Sequence, residues 1–282
     1  MTADAVEFKV AGEDGHRWSL LGRIPAQPRA SLLWLPALGV AARHYMPFAD
    51  ALAAQGIAVF LHELRGHGSS SLRADRHTDW DYCTLLLRDL PASEAAVAAA
   101  LPAVPHVLGG HSLGGQLACC RLATVPDSAS ALWLVASGSP YWRAFPPRHR
   151  WWLPLAYRFL PWLAQVRGAL PGRSVGFGGN EARGLVRDWA RSGLSGRYAA
   201  QGFDLDLDAA LARVDHPLRA VIFDRDWLGP PSSLRFLLSK LRNRSSDIVT
   251  LDASILGASA DHFAWMQRPR AVASALSARA PA

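Results

Sequence analysis

The sequence predicts an α/β fold, a mostly parallel sheet with helices on both faces and a helical insertion, and three observations lead there. The first is a set of short continuous apolar runs, SLLWL (31–35), IAVFLHE (57–63), HVLGG (106–110), ALWLVAS (131–137) and LRAVIFD (218–224), of the kind that strands buried on both faces show. The second is that helical patterns stand between them on short links, as crossover connections require. The third is a break in this alternation over residues 139–205. No strand is expected there, and Pro140, Pro146, Pro147, Pro154, Pro161 and Pro171 interrupt helical stretches rich in Trp and Arg.

The remaining elements follow in chain order. Residues 6–10 and 16–24 alternate around AGEDG and read as a β-hairpin. The loop PALGVAARH leads into YMPFADALAAQ, with apolar residues at helical spacing, and the strand 57–63 runs out into RGHGSSS. A Leu/Ala-rich helix fits 81–101, and SLGGQLACCRLAT (112–124) reads as a helix directly after the strand HVLGG. A helix over 231–241, the strand DIVTLD (247–252) and a helix over 269–279 close the chain. The expected organisation is a core formed by 1–138 and 206–282, with a helical lid at 139–205.

Composition narrows the function classes. Of 282 residues, 50% are hydrophobic and 19% charged, ample for a buried core. The net charge of +7 and pI near 9.9 raise the question of nucleic acid. Yet the positive charge is scattered arginine apart from Lys9 and Lys240, with no basic run and no nucleic-acid motif, so no such partner is expected. Cys83, Cys119 and Cys120 make neither a disulfide framework nor a zinc spacing, and neither metal nor cofactor is expected. The acidic start MTADAVEFKVAGEDG lacks the features of a signal peptide. The apolar stretch 151–166 is too short to span a bilayer and carries Pro154, Arg158 and Pro161, so a soluble, cytoplasmic protein is expected. The Trp/Arg-rich segment 142–167 has the composition of one that lies on a membrane surface without crossing it.

The chemistry centres on Gly-His-Ser-Leu-Gly at 110–114, a G-x-S-x-G pentapeptide between an apolar strand end and a helix start. A turn tight enough to project Ser112 above the sheet leaves no room for Cβ atoms at its flanks. It also sets the serine near unpaired helix N–H groups, of which Leu113 N–H serves as an oxyanion donor. The alternative reading is a Gly-rich turn with Ser112 as a helix cap. After residue 226 the chain has one histidine, His262, placed beyond the last predicted strand and before the last helix, which suits a general base. Asp226 follows the strand LRAVIF with Pro230 four residues on and is the expected acid; Asp224 is the alternative. The second oxyanion donor is expected in Pro36-Ala37-Leu38-Gly39 as Leu38 N–H, with Ala37 the alternative.

The stretch LPALGVAARHYMPFADALAAQGIAVFLHELRGHGSS resembles the first half of an α/β-hydrolase, and GHSLGG is similar to the elbow of esterases and monoacylglycerol-lipase-like proteins. YWRAFP, PGRSVGFGG and RDWARSG resemble a bacterial branch of that superfamily. Two positions depart from the pattern: Glu63-Leu64 stands where Asp usually precedes the R-G turn, and Asp261 replaces the glycine before the histidine. An acid beside His262 is expected to raise the imidazole pKa.

The resemblance implies hydrolysis of a small-molecule carboxylic ester through an acyl-enzyme, with Trp142 and Trp151 of the lid as candidates to line an acyl pocket. Acyl transfer or thioester hydrolysis on the same triad stays open, as does a binding module that has lost turnover.

Overall fold

A strand whose every side chain is apolar needs cover on both faces, and the arrangement of layers provides it. The computed structural model describes residues 3–242 and 246–278. Its strands are β1 Asp4–Ala11, β2 Arg17–Ile24, β3 Ala30–Leu35, β4 Ile57–Leu61, β5 His106–His111, β6 Ala131–Val135, β7 Leu170–Pro171, β8 Asn180–Glu181, β9 Leu218–Phe223 and β10 Ser246–Leu251. Eight of them form one sheet in the order β1-β2-β4-β3-β5-β6-β9-β10. Within it β2 is antiparallel to both neighbours, and the other pairings are parallel. The α/β fold class expected from the sequence is therefore the observed one.

Alternation along β3 shows how the layers form. Leu33 and Leu35 pack with Leu117 of the helix Leu113–Thr124 and Val97 of the helix Leu90–Ala100. Leu32 and Trp34 face the other way, toward Phe48 of the helix Met46–Ala53, Trp265, and Val272 of the helix Arg270–Ser277. The ends of β3, β5, β6 and β9 place their following loops along one sheet edge, where ligands of open α/β sheets bind.

Three details depart from expectation. The helix expected over 81–101 runs from Tyr82 to Ala100 but contains a π-turn, Leu85–Asp89. At that widened turn Asp89 is fully buried and pairs with Arg65 of the R-G-x-G-x-S turn, Nε to Oδ2 and Nη2 to Oδ1 both at 2.7 Å. Proline does not divide the inserted segment as expected, since one helix, Leu153–Arg167, runs through Pro161. A mid-helix proline costs about 3 kcal/mol. Burial of Leu153, Tyr157 and Ala164 offsets that cost. Gly193 on the neighbouring helix Arg183–Ser195 makes the approach possible, because a Cβ there would lie 2.6 Å from the Tyr157 ring. Finally, 139–205 does contain strand, the antiparallel pair β7–β8, which at two residues each is too short to leave a periodic signal. The expected last helix reached 279, a position outside the described residues; the observed one ends at Ser277.

The Arg65–Asp89 pair is a buried bidentate ion pair in which Arg65 also donates to Asp14, Nη2 to Oδ2 at 2.7 Å, so loss of Asp89 leaves the guanidinium one carboxylate. Asp89→Ala should cost roughly 1.5–3 kcal/mol by urea denaturation, the range for lost hydrogen bonds to a charged group, while replacing both partners by apolar side chains should cost less than that single change. A double variant less stable than Asp89→Ala would mean that the pair contributes little and the packing around it contributes most.

Candidate active site

Ser112 closes β5 and opens the helix Leu113–Thr124 with φ 54° and ψ −118°, a conformation non-glycine residues rarely adopt. The surroundings enforce it. A Cβ on Gly110 would lie 2.3 Å from the Gly114 carbonyl carbon, and one on Gly114 would lie 2.1 Å from the Leu35 carbonyl oxygen. The backbone is fixed as well: Ser112 N–H donates to Val135 O at 3.1 Å, and Ser137 Oγ donates to Ser112 O at 2.7 Å. No side-chain cap bond forms from Ser112 to the helix, so the hydroxyl is not used as an N-cap.

His262 and Asp226 meet at 2.8 Å, Nδ1 to Oδ2, both buried. The carboxylate's other oxygen accepts from Leu228 N–H and Gly229 N–H, each at 2.9 Å. Asp226 is thus held on both oxygens and His262 presents Nε2 on the other side of its ring. Asp224 is exposed and takes no part in this contact. Asp261, the acid expected to act on His262, turns its Oδ1 to the N–H groups of Phe263 and Ala264 at 3.1 and 2.9 Å, capping the turn that carries the histidine. Three residues on, Trp265 is fully buried against Trp34, Phe48 and Phe223 and anchors that turn to the core.

The Pro36–Gly39 loop discriminates between its two N–H candidates. Both residues line the cavity, but Ala37 N–H is taken by the Tyr45 hydroxyl at 2.9 Å, which leaves Leu38 N–H as the donor of the two not bound to Tyr45. The phenol oxygen also lies 2.8 Å from His111 Nδ1. Burial, with His262 nearby, holds the His111 pKa well below the ordinary value and favours the neutral imidazole. Neither Tyr45 nor His111 carries a signal in the sequence, where His111 is the variable second residue of the pentapeptide.

Ser112, Leu113, Leu38 and His262 line one cavity of about 340 Å³. Its far wall comes from the inserted segment, through Phe145, Trp152, Leu153, Leu160, Phe177 and Trp189. No Asp or Glu is part of the lining. Gln116, one helical turn beyond Ser112, is buried there, and its Oε1 has no hydrogen-bond partner among the described residues. A cavity of about 390 Å³ lies at the opposite edge of the sheet near His106 and Arg121, remote from Ser112.

Trp142 and Trp151, expected to line the pocket, do not. Trp151 is 74% exposed in the turn between the helices Pro147–Arg150 and Leu153–Arg167, and it is the next residue, Trp152, that faces inward. Adjacent side chains in a turn diverge, and sequence alone does not tell which of two tryptophans points in. Trp142 instead packs beside Phe145 and Leu153 with the Arg143 guanidinium 4.9 Å over its ring. Cys119 and Cys120 are buried in the helix after Ser112, as small core residues would be. Among the described residues no group of His, Cys, Asp and Glu is arranged to hold a metal ion. No helix among them is long and apolar enough to cross a membrane.

A contact beside the Pro36–Gly39 loop joins the segment 139–205 to the core. His67 Nε2 lies 3.2 Å from Glu181 Oε2, and Glu181 Oε1 accepts from Gly179 N–H at 2.7 Å. The loop so held presses on Gly39 (φ +80°), where a Cβ would come within 2.5 Å of Gly178. Glu63, unusual at its position, accepts from Ala42 N–H and Ser69 N–H at 2.9 and 3.0 Å and braces the same region from below.

The sheet order together with the strand–turn–helix at Ser112 defines an α/β-hydrolase. The family described as serine aminopeptidase, S33, matches residues 26–189, more than half of the chain, and this chain belongs to that family of hydrolases. No curated protein matches it. Among solved structures it is similar to a hydrolase from Pseudomonas aeruginosa PA01, at 20% identity over 98% of both chains with a TM-score of 0.61. The esterase domain of a Rhodothermus marinus protein aligns at 18% identity over 99% of this chain and 98% of that one, with a TM-score of 0.64. A Pyrococcus furiosus esterase aligns at 16% identity over 98% and 90%, with a TM-score of 0.61. Identities this low establish the shared fold.

The His67–Glu181 contact has a pH dependence of definite sign. Desolvation opposes charge on His67, but the hydrogen bond and negative charge of Glu181, with Glu63 behind it, prevail and raise its pKa. A raised folded-state pKa stabilises fully below the unfolded value near about 6.5 and loses its effect as pH climbs through the folded value. His67→Gln should therefore lower the melting temperature more at pH 6 than at pH 9, with a loss of roughly 1–3 kcal/mol at the lower pH. A gap that stays constant between the two would show that His67 is neutral throughout.

Proposed function

We propose that this protein is a serine esterase that hydrolyses carboxylic esters with apolar acyl groups through an acyl-enzyme. The observation that carries the reading is the convergence of the strained Ser112 and the Asp226-held His262 on one cavity whose walls are apolar and free of carboxylates. In this mechanism His262 Nε2 takes the Ser112 proton as Oγ attacks the ester carbonyl. Asp226, accepting from Nδ1–H, fixes the tautomer that makes Nε2 the base. Leu113 and Leu38 N–H groups stabilise the tetrahedral oxyanion, the first at a helix start where no intrahelical acceptor exists. His262 then protonates the leaving alcohol, and water, activated the same way, releases the acid and restores Ser112.

The apolar walls favour an acyl chain as the group bound beside Ser112, and residues 139–205 act as the lid that supplies them. The buried Gln116 Oε1, without a hydrogen-bond partner among the described residues, offers an acceptor in the lining suited to a donor group of the substrate. The family's description names an aminopeptidase, yet an α-ammonium buried here would meet no carboxylate in the lining, and an unpaired buried charge is costly. This favours esters over peptides with a free N-terminus.

The test is labelling with a fluorophosphonate probe followed by a p-nitrophenyl ester series of increasing chain length. Ser112→Ala should lose the label and roughly four to six orders of magnitude in kcat while keeping the native fold. Asp226→Asn should cost about 10⁴-fold, and Asp224→Asn little. Retention of the label by Ser112→Ala, or turnover of aminoacyl amides in preference to esters, would overturn the assignment.

A further inference from the structure

We propose that the outer face of the helix Leu153–Arg167, together with Trp151 just before it, is a docking surface for an anionic lipid bilayer. Five large apolar residues stand out from this part of the chain: Trp151 at 74% exposure, Leu155 at 62%, Phe159 at 49%, Trp162 at 58% and Val166 at 48%. Their spacing of three and four residues places them on one stripe, and at about 100° per residue they share roughly a quarter of the helix circumference. The residues that line the cavity, Leu153, Ala156, Tyr157 and Leu160, fall on the opposite side. The burial of the inner face is explained by the fold. The outer stripe is not, because scattered apolar residues are ordinary on a surface but a contiguous row that includes three aromatics is not.

Charge indicates what covers it. From Trp142 to Gly168 the sequence holds Arg143, Arg148, Arg150, Arg158 and Arg167 and no Asp or Glu. All five arginines are exposed, and none is within salt-bridge distance of a carboxylate among the described residues. Tryptophan and phenylalanine on one face with arginines around them, in a helix without acidic residues, is the pattern of a helix lying in the plane of the headgroups. At 15 residues the helix cannot span a bilayer. A second copy of the chain is a poorer occupant, since two-fold pairing of this face would bring both sets of arginines together with no acid between them. Phosphate headgroups neutralise those arginines while the stripe enters the acyl boundary. The proposal does not rest on the esterase reading, as a Ser112→Ala chain would bind equally well.

Co-sedimentation of the full chain with phosphatidylcholine vesicles, with and without phosphatidylglycerol, tests it. Binding should be about tenfold stronger or more on the anionic vesicles at low ionic strength and should weaken as salt is added. Trp151→Ser/Trp162→Ser should lose at least about tenfold in that binding with unchanged circular dichroism and melting temperature. Arg148→Glu/Arg158→Glu, which leaves the stripe intact, should remove the preference for anionic lipid. Failure of the wild-type chain to bind anionic vesicles at low salt would overturn the proposal. So would equal binding by the stripe variant, or a concentration-dependent dimer in analytical ultracentrifugation that the stripe variant abolishes. The last result would assign the face to a second copy.

Discussion

Close backbone contact around Ser112 is the constraint on which the rest of this structure depends. Gly110 and Gly114 meet with no space for a Cβ on either, and Gly114 lies directly against the Leu35 carbonyl at the end of β3. Contact this tight bends the chain from strand to helix within one residue and forces Ser112 to positive φ. The strain is stored because the end of β6 over-determines it, Val135 O accepting from Ser112 N–H and Ser137 Oγ donating to Ser112 O. A serine in that position is held above the sheet edge rather than folded back as a helix cap.

Around the turn, a second set of contacts sets the approach of everything else. Tyr45 bridges Ala37 to His111 and so fixes the loop whose next N–H, at Leu38, borders the cavity. His111 in turn lies 4.8 Å from the His262 ring, and Trp265 packs on both Tyr45 and His111. One buried aromatic group therefore connects the Pro36–Gly39 loop, the strand before Ser112 and the turn bearing His262. Displacing any member shifts the others, because a close-packed interior transmits small movements. His67 and Glu181 link the segment 139–205 to the turn after β4, next to the Pro36–Gly39 loop.

The Leu153–Arg167 helix has two apolar faces with different environments. Its inner face completes the cavity and its outer face lies open to solvent between arginines. A helix apolar all round is usually buried. Here the outer face is open, and the helix separates the candidate active site from the surface proposed to meet lipid by a single helix diameter.

Much of this was determined by the sequence alone. Continuous apolar runs such as SLLWL and IAVFL specify strands buried on both faces, and helical patterns between them specify a mostly parallel sheet, whose strand order the structure supplies. The pentapeptide at 110–114 marks the serine turn because glycine is demanded there by sterics. His262 and Asp226 are legible as residues following predicted strands, and the structure brings them within 2.8 Å of each other. What tertiary structure decided are the features with no local signature. That Asp226 rather than Asp224 meets His262 depends on which side of a turn faces the histidine, and that Ala37 N–H is engaged depends on a hydroxyl eight residues further along the chain. Trp152 rather than Trp151 lines the cavity for the same kind of reason: composition records that aromatics are present, whereas direction is set by the packing of the Leu153–Arg167 helix on its neighbour. Periodicity encodes which face of an element is apolar, but only the assembled fold determines what that face meets.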